Sequence, residues 1–160
     1  MSSHTTINEQ AGAYLRNRVM TAKPEELRLM LIEGALRFSR MALDGLHQQD
    51  FEKVYDGLSQ CQPILLELIN ALDRSHDPLL CDRLSGLYAF MYNRTIDAGS
   101  ERNPDYLKEV IELLEYERET WVILMGQLGD QDEGEAIGAT AGPVVEDESV
   151  EEKPRLSIQG

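Results

Sequence analysis

Apolar residues recur at steps of three and four along four stretches of this chain, and each stretch opens on a helix-starting signal. The first runs from Pro24 to about His47. Proline suits the first helical turn, where its missing N–H costs nothing, and Glu25 and Glu26 complement the positive end of the helix dipole. Its seam reads Leu27, Leu31, Ala35, Phe38 and Ala42. A second apolar line lies beside it: Leu29, Ile32, Leu36 and Leu43. One line suffices for a bundle core. Two mean a helix buried on both sides or a groove that waits for a partner.

The second stretch starts at Asp50, a good N-cap, and reaches about Arg74 with the seam Phe51, Val54, Leu58, Cys61, Leu65, Leu68, Leu72. Pro63 falls inside it, where it removes one backbone bond and favours a kink. Leu66 and Ile69 lie off the seam. The third starts at Asp77-Pro78, with Leu80, Leu84, Leu87 and Met91 as seam and Ala98-Gly99-Ser100 as the expected stop. The fourth starts at Asn103-Pro104 and carries Leu107, Val110, Leu114, Arg118, Trp121 and Met125. Short links favour antiparallel neighbours. The pattern predicts an all-α fold: an antiparallel up-down-up-down four-helix bundle over residues 21–128. It is preceded by an extended-looking, mobile N-terminal arm over 1–20.

From Gly129 the pattern stops. Residues 129–160 hold nine acidic and two basic side chains and no aromatic one. Such a stretch buries too little apolar surface to offset chain ordering, so a disordered acidic tail is expected.

Composition narrows the function. The chain has 160 residues, 42% of them hydrophobic, and a formal net charge of −14. That balance argues against nucleic acid and against an anionic membrane surface, both of which call for a basic patch. Met1 to Gln10 lacks the apolar core of a signal peptide, and no apolar run approaches about 20 residues. A cytoplasmic (cytosolic) location is expected. Cys61 and Cys81 fit a reducing compartment. On adjacent antiparallel helices joined near residue 76 their depths differ by roughly 13 Å, too far for a disulfide.

Candidate chemistry is thin. Asp44 precedes His47 by three residues, as Asp73 does His76, a spacing used in bundle metal sites. The two pairs fall at opposite ends of a bundle and off the apolar seams. No phosphate loop, nucleophile elbow or zinc-protease motif is present. The expectation is a binding protein with no catalytic residue, cofactor or metal.

Tyr14, then Val19-Met-Thr21-Ala22-Lys-Pro24-Glu-Glu26-Leu27, then Gly34-Ala35-Leu36-Arg37-Phe38 resembles the N-terminal signature of the bacterial flagellar export chaperones, the FliS-type proteins that bind flagellin. Leu87-Tyr88-Ala-Phe90-Met91 and Leu113-Leu114 with Arg118 and Trp121 resemble later blocks of that family. The similarity covers Tyr14 to Met125. Lys23 stands where a small capping residue is usual, Ile32 where an aromatic is common, and the acidic tail lies outside the pattern. The resemblance implies a chaperone that binds the disordered C-terminal region of flagellin, prevents premature polymerisation and keeps it export-competent. The flagellar export apparatus would be a second contact.

A disordered ligand can lay amphipathic helices into grooves of a bundle. The expected contacts are Tyr14 on the arm, Leu29, Ile32 and Leu36 on the first helix, and Leu66 and Ile69 on the second. Two roles stay open for the arm: a lid that places Tyr14 over part of the groove and moves when flagellin binds, or a permanently docked segment that only seals the core. A monomer or weak homodimer is expected. The alternative is a self-associating structural helical-bundle protein with no flagellar role, in which the second apolar line is a homodimer face.

Overall fold

A computed structural model describes the backbone of residues 3–140 and the side chains of residues 9–131 and 133. All the regular structure among the described residues is helical: α1 (Ser3–Thr21), α2 (Pro24–Gln48), α3 (Phe51–Asn70), α4 (Pro78–Glu101) and α5 (Pro104–Thr140). Residues 3–126 fall in one compact unit, and residues 127–140 fall in a second and are helical as the end of α5.

The helix starts follow their caps. Asp50 accepts from the Lys53 N–H at 3.2 Å, Asp77 from Leu80 at 3.1 Å and Asn103 from Asp105 at 3.0 Å. Pro24 holds Lys23 extended (φ −65°, ψ 156°), which separates α1 from α2. Between α2 and α3, Gln49 adopts the left-handed conformation (φ 55°), and the Asp50 N–H returns to the Gly45 carbonyl at 2.9 Å. That closure turns the chain within two residues and starts α3 against the end of α2.

Contacts fix the pairing. Gly45 lies against Val54, Gly57 against Ala42, and Gly34 beside Ile64, so α2 and α3 run in opposite directions. Arg40 pairs with Glu115 at 2.7 Å, Glu33 with Arg118 at 3.3 Å, and the Glu25 carbonyl accepts from Trp121 Nε1 at 2.9 Å, which sets α5 antiparallel to α2. Tyr88 with Glu117 and Arg94 with Glu109 do the same for α4 and α5. Both core clusters draw residues from α2, α3, α4 and α5 and, among the described residues, none from α1.

Several expectations are corrected. Residues 3–21 are helical, not extended; helix-forming residues such as Ala11, Ala13, Leu15, Arg16 and Met20 fill the segment, and nothing stops it before Pro24. Ala98-Gly99-Ser100 does not end α4, which reaches Glu101 and terminates at left-handed Arg102 (φ 52°). Ala98 is in the core and Gly99 faces Leu58, so packing overrides the local stop signal. α3 ends at Asn70, before Arg74, and continues through Pro63. Residues 129–140, expected to be disordered, continue α5; residues 141–160 of the expected tail lie outside the described residues.

Candidate functional site

The buried stripe of α2 is Arg28, Ile32, Ala35, Leu36, Ser39, Ala42, Gly45 and Leu46. It differs from the seam expected from apolar spacing because two polar side chains occupy core positions. Ser39 Oγ lies 3.2 Å from Cys61 Sγ. Arg28 is held between the rings of Tyr88 and Trp121, its guanidinium carbon 5.4 and 5.3 Å from their centroids. It donates to the Tyr88 hydroxyl at 2.6 Å, and that hydroxyl donates to Glu117 at 2.8 Å. Burial, reinforced by the neighbouring Glu117 carboxylate, pushes the Tyr88 pKa well above the usual phenol range. The network pins the first turns of α2 to α4 and α5. Its members bond to one another.

The six expected contact residues do not form one surface. Ile32 and Leu36 are 0% and 2% exposed and belong to the core, which corrects their placement on an outer face. The physical reason is that α2 meets α3, α4 and α5 at once, so both of its apolar lines are used internally. Leu29 is half-buried and Ile69 packs on the core. Tyr14 (67% exposed) and Leu66 are open to solvent.

Leu66 leads to the surface that apolar spacing on α2 missed. Tyr55, Ser59, Gln62 and Leu66 follow one another at steps of four, three and four on α3, so they share a stripe, and Ile69 continues it. Across from that stripe α4 offers Thr95, Ile96, Gly99 and Ser100. Between them lies a groove of about 370 Å³, with Val54 and Leu58 as its floor and Phe51 and Arg102 at one end. Tyr55 is 71% exposed, and Phe51 and Ile96 are also uncovered. Two small residues, Gly99 and Ser100, form part of its α4 wall. The sequence signal was present in Tyr55 and Leu66, two large apolar residues off the α3 seam.

A larger cleft of about 620 Å³ lies between α2 and α5. Glu33, Arg40, Glu112, Glu115, Arg118 and Glu119 line it, with Leu36 and Tyr116. Ion pairs between Arg40 and Glu115 and between Arg118 and Glu33 bridge it. A ligand that gains affinity by burying apolar surface fits the α3–α4 groove better than this charged cleft.

The histidine pairs resolve simply. His47 is exposed in the last turn of α2, where a cation is mildly favoured. Asp73 accepts from the Ser75 N–H and hydroxyl at 2.9 and 2.5 Å, with His76 Nε2 3.7 Å away, in the exposed turn after α3. The two Ser75 bonds hold the Asp73 pKa below the usual carboxylate range. Cys61 and Cys81 are free and buried. Among the described residues no helix is long and apolar enough to cross a membrane.

A family model described as flagellar protein FliS matches residues 7–128. The chain belongs to the FliS family. It is 34% identical over 109 residues to the flagellar secretion chaperone FliS of Bacillus subtilis (strain 168), a span covering 68% of this chain and 80% of that one. It is 33% identical over 110 residues to the protein of the same name from Campylobacter jejuni subsp. jejuni serotype O:6, covering 69% and 86%. The FliS match contains the whole α3–α4 groove, the Arg28 network and Tyr14, and stops before the acidic segment.

Proposed function

We propose that this FliS-family chain is a cytoplasmic flagellar export chaperone, built as an antiparallel four-helix bundle of α2 to α5. In this reading it holds the disordered C-terminal region of flagellin in the α3–α4 groove. Family membership supports the chaperone role, and the uncovered Tyr55 and Leu66 on α3 and Ile96 on α4, beside a groove floored by Val54 and Leu58, are the observation that carries the site. An amphipathic helix presents side chains at intervals that can enter such a groove, and covering it removes apolar surface from water at about 25 cal/mol per Å². Ordering a disordered ligand costs roughly 2–5 kcal/mol or more, so the footprint must extend along the stripe towards Leu66 and Ile69. Occupying flagellin's sticky terminal segment would block its assembly until export. No step requires bond chemistry, in keeping with a binding role.

α1 takes the place of the arm in this proposal. Its described side chains are absent from both core clusters and leave Tyr14, Leu15, Val19 and Met20 uncovered, which suits a segment that closes over a ligand or over an empty groove.

The test is flagellin affinity for Tyr55→Asp and Ile96→Asp variants. Both residues are exposed, so melting should hold while affinity falls tenfold or more, a loss of about 1.4 kcal/mol. Unchanged affinity in both variants would move the site off this groove.

A further inference from the structure

Arg102 is the one charged side chain among the residues that line the α3–α4 groove. In a chain with a net charge of −14, a ligand-sized groove whose lining carries a single positive charge and no acid stands apart from its surroundings. Three features prepare that charge. Its backbone is left-handed, φ 52° and ψ 39°, at the C-terminus of α4, which aims the side chain away from the helix axis. Its guanidinium carbon sits 3.8 Å from the centroid of the Phe51 ring, a stacked arrangement. Stacking covers one face of the guanidinium and leaves its in-plane N–H donors at the edge, where a carboxylate binds with two parallel bonds. Two nearby acids have other partners: Asp97 lies 4.0 Å from Arg94, and Asp105 lies 3.7 Å from Lys108. Arg102 itself makes no ion pair among the described residues.

We propose that Arg102 is a specificity-determining contact: it pairs with an Asp or Glu side chain on the amphipathic segment that occupies the groove. The inference rests on the groove reading above and adds register to it. Apolar contacts along Tyr55, Ile96 and Leu66 tolerate sliding by a helical turn. A carboxylate fixed at the Phe51–Arg102 end does not, because shifting the segment leaves a desolvated charge unpaired. The same pairing selects against a segment with Lys or Arg at that point. The competing role for Arg102, a cation near the negative end of α4, acts on stability alone.

The experiment uses the full chain and the cognate flagellin C-terminal segment, made with an amidated terminus so that only side-chain carboxylates remain. Affinity is measured at two salt concentrations for wild type, Arg102→Gln, Arg102→Lys and Tyr55→Asp. Arg102→Gln should weaken binding about five- to tenfold and flatten the salt dependence, with Arg102→Lys between it and wild type. Changing the segment's acidic residues one at a time to their amides should reveal one whose loss costs as much as Arg102→Gln and costs nothing further in that variant. Wild-type affinity in Arg102→Gln, with binding lost in Tyr55→Asp, overturns the carboxylate contact and leaves the groove standing. Full affinity in both variants overturns the groove reading with it. A lowered melting temperature for Arg102→Gln with unchanged affinity assigns the residue to the α4 cap and overturns the proposal.

Discussion

The two seams made by α3 differ in one respect that decides what each can do. On the α2 side, small residues let backbone meet backbone. A Cβ added at Gly57 would lie 2.7 Å from the Phe38 carbonyl oxygen and 2.8 Å from the Ala42 nitrogen; one at Gly45 would lie 2.8 Å from the Val54 nitrogen. On the α4 side, a Cβ added at Gly99 meets only the end of the Leu58 side chain, at 2.9 Å, and a groove remains open beside it. Close approach of main chains makes a seam that no ligand enters. Contact through flexible side-chain tips leaves room and allows adjustment. The same helix thus carries a closed face and an open one.

The largest expected effect comes from charging the closed side. Ile32 is fully buried where α2 meets the other helices, so Ile32→Asp buries an unpaired carboxylate and should cost about 4 kcal/mol or more. Most or all of the cooperative melt should vanish. A variant that melts like wild type would mean Ile32 faces an open surface after all.

The glycines break the comparison most sharply, because one change is made at both seams. Gly57→Ala forces a methyl into main chain that cannot yield and should destabilise by about 1–3 kcal/mol. Gly99→Ala meets a movable side chain and gains helix propensity, roughly 1 kcal/mol in a helix interior, so its net change should fall within about 0.5 kcal/mol of zero. Denaturant midpoints measure both. Equal losses would erase the distinction between the seams.

A smaller effect concerns the network that fastens α2 to α4 and α5. Tyr88→Phe leaves Arg28 and Glu117 without the hydroxyl between them and should cost about 1–2 kcal/mol near neutral pH. The pH dependence has a definite sign. Burial raises the Tyr88 pKa in the folded chain, so the unfolded chain loses this proton first as pH rises. The Tyr88 contribution is therefore full below about pH 10, the ordinary phenol value, and is lost progressively above it. Alkaline unfolding of wild type should be steeper than that of Tyr88→Phe; identical slopes would remove Tyr88 from the linkage.

How legible all this was depended on range. Helix starts at Pro24, Asp50, Asp77-Pro78 and Asn103-Pro104 are local, and the caps form as read. The α3 seam from Val54 to Leu68 was also legible, because its buried positions are apolar or small. The α2 seam was not. Arg28 and Ser39 look like surface residues until Tyr88, Trp121 and Cys61, supplied by three other helices, give them partners. That error carried Ile32 and Leu36 onto the wrong face. The groove was half legible: Tyr55 and Leu66 break the α3 pattern, whereas the gap at Gly99 and the placement of Arg102 arise only when α4 lies alongside. Leu66 was named from its off-seam position alone, and it continues the stripe that borders the groove.

Hydrogen exchange across the described helices, with and without flagellin, tests the central claim directly. Flagellin should slow exchange along the stripe from Tyr55 to Ile69 and around Ile96 to Arg102. This protection should disappear when flagellin lacks its C-terminal region. Protection confined to the charged cleft between α2 and α5, or unchanged by removing that region, would contradict it.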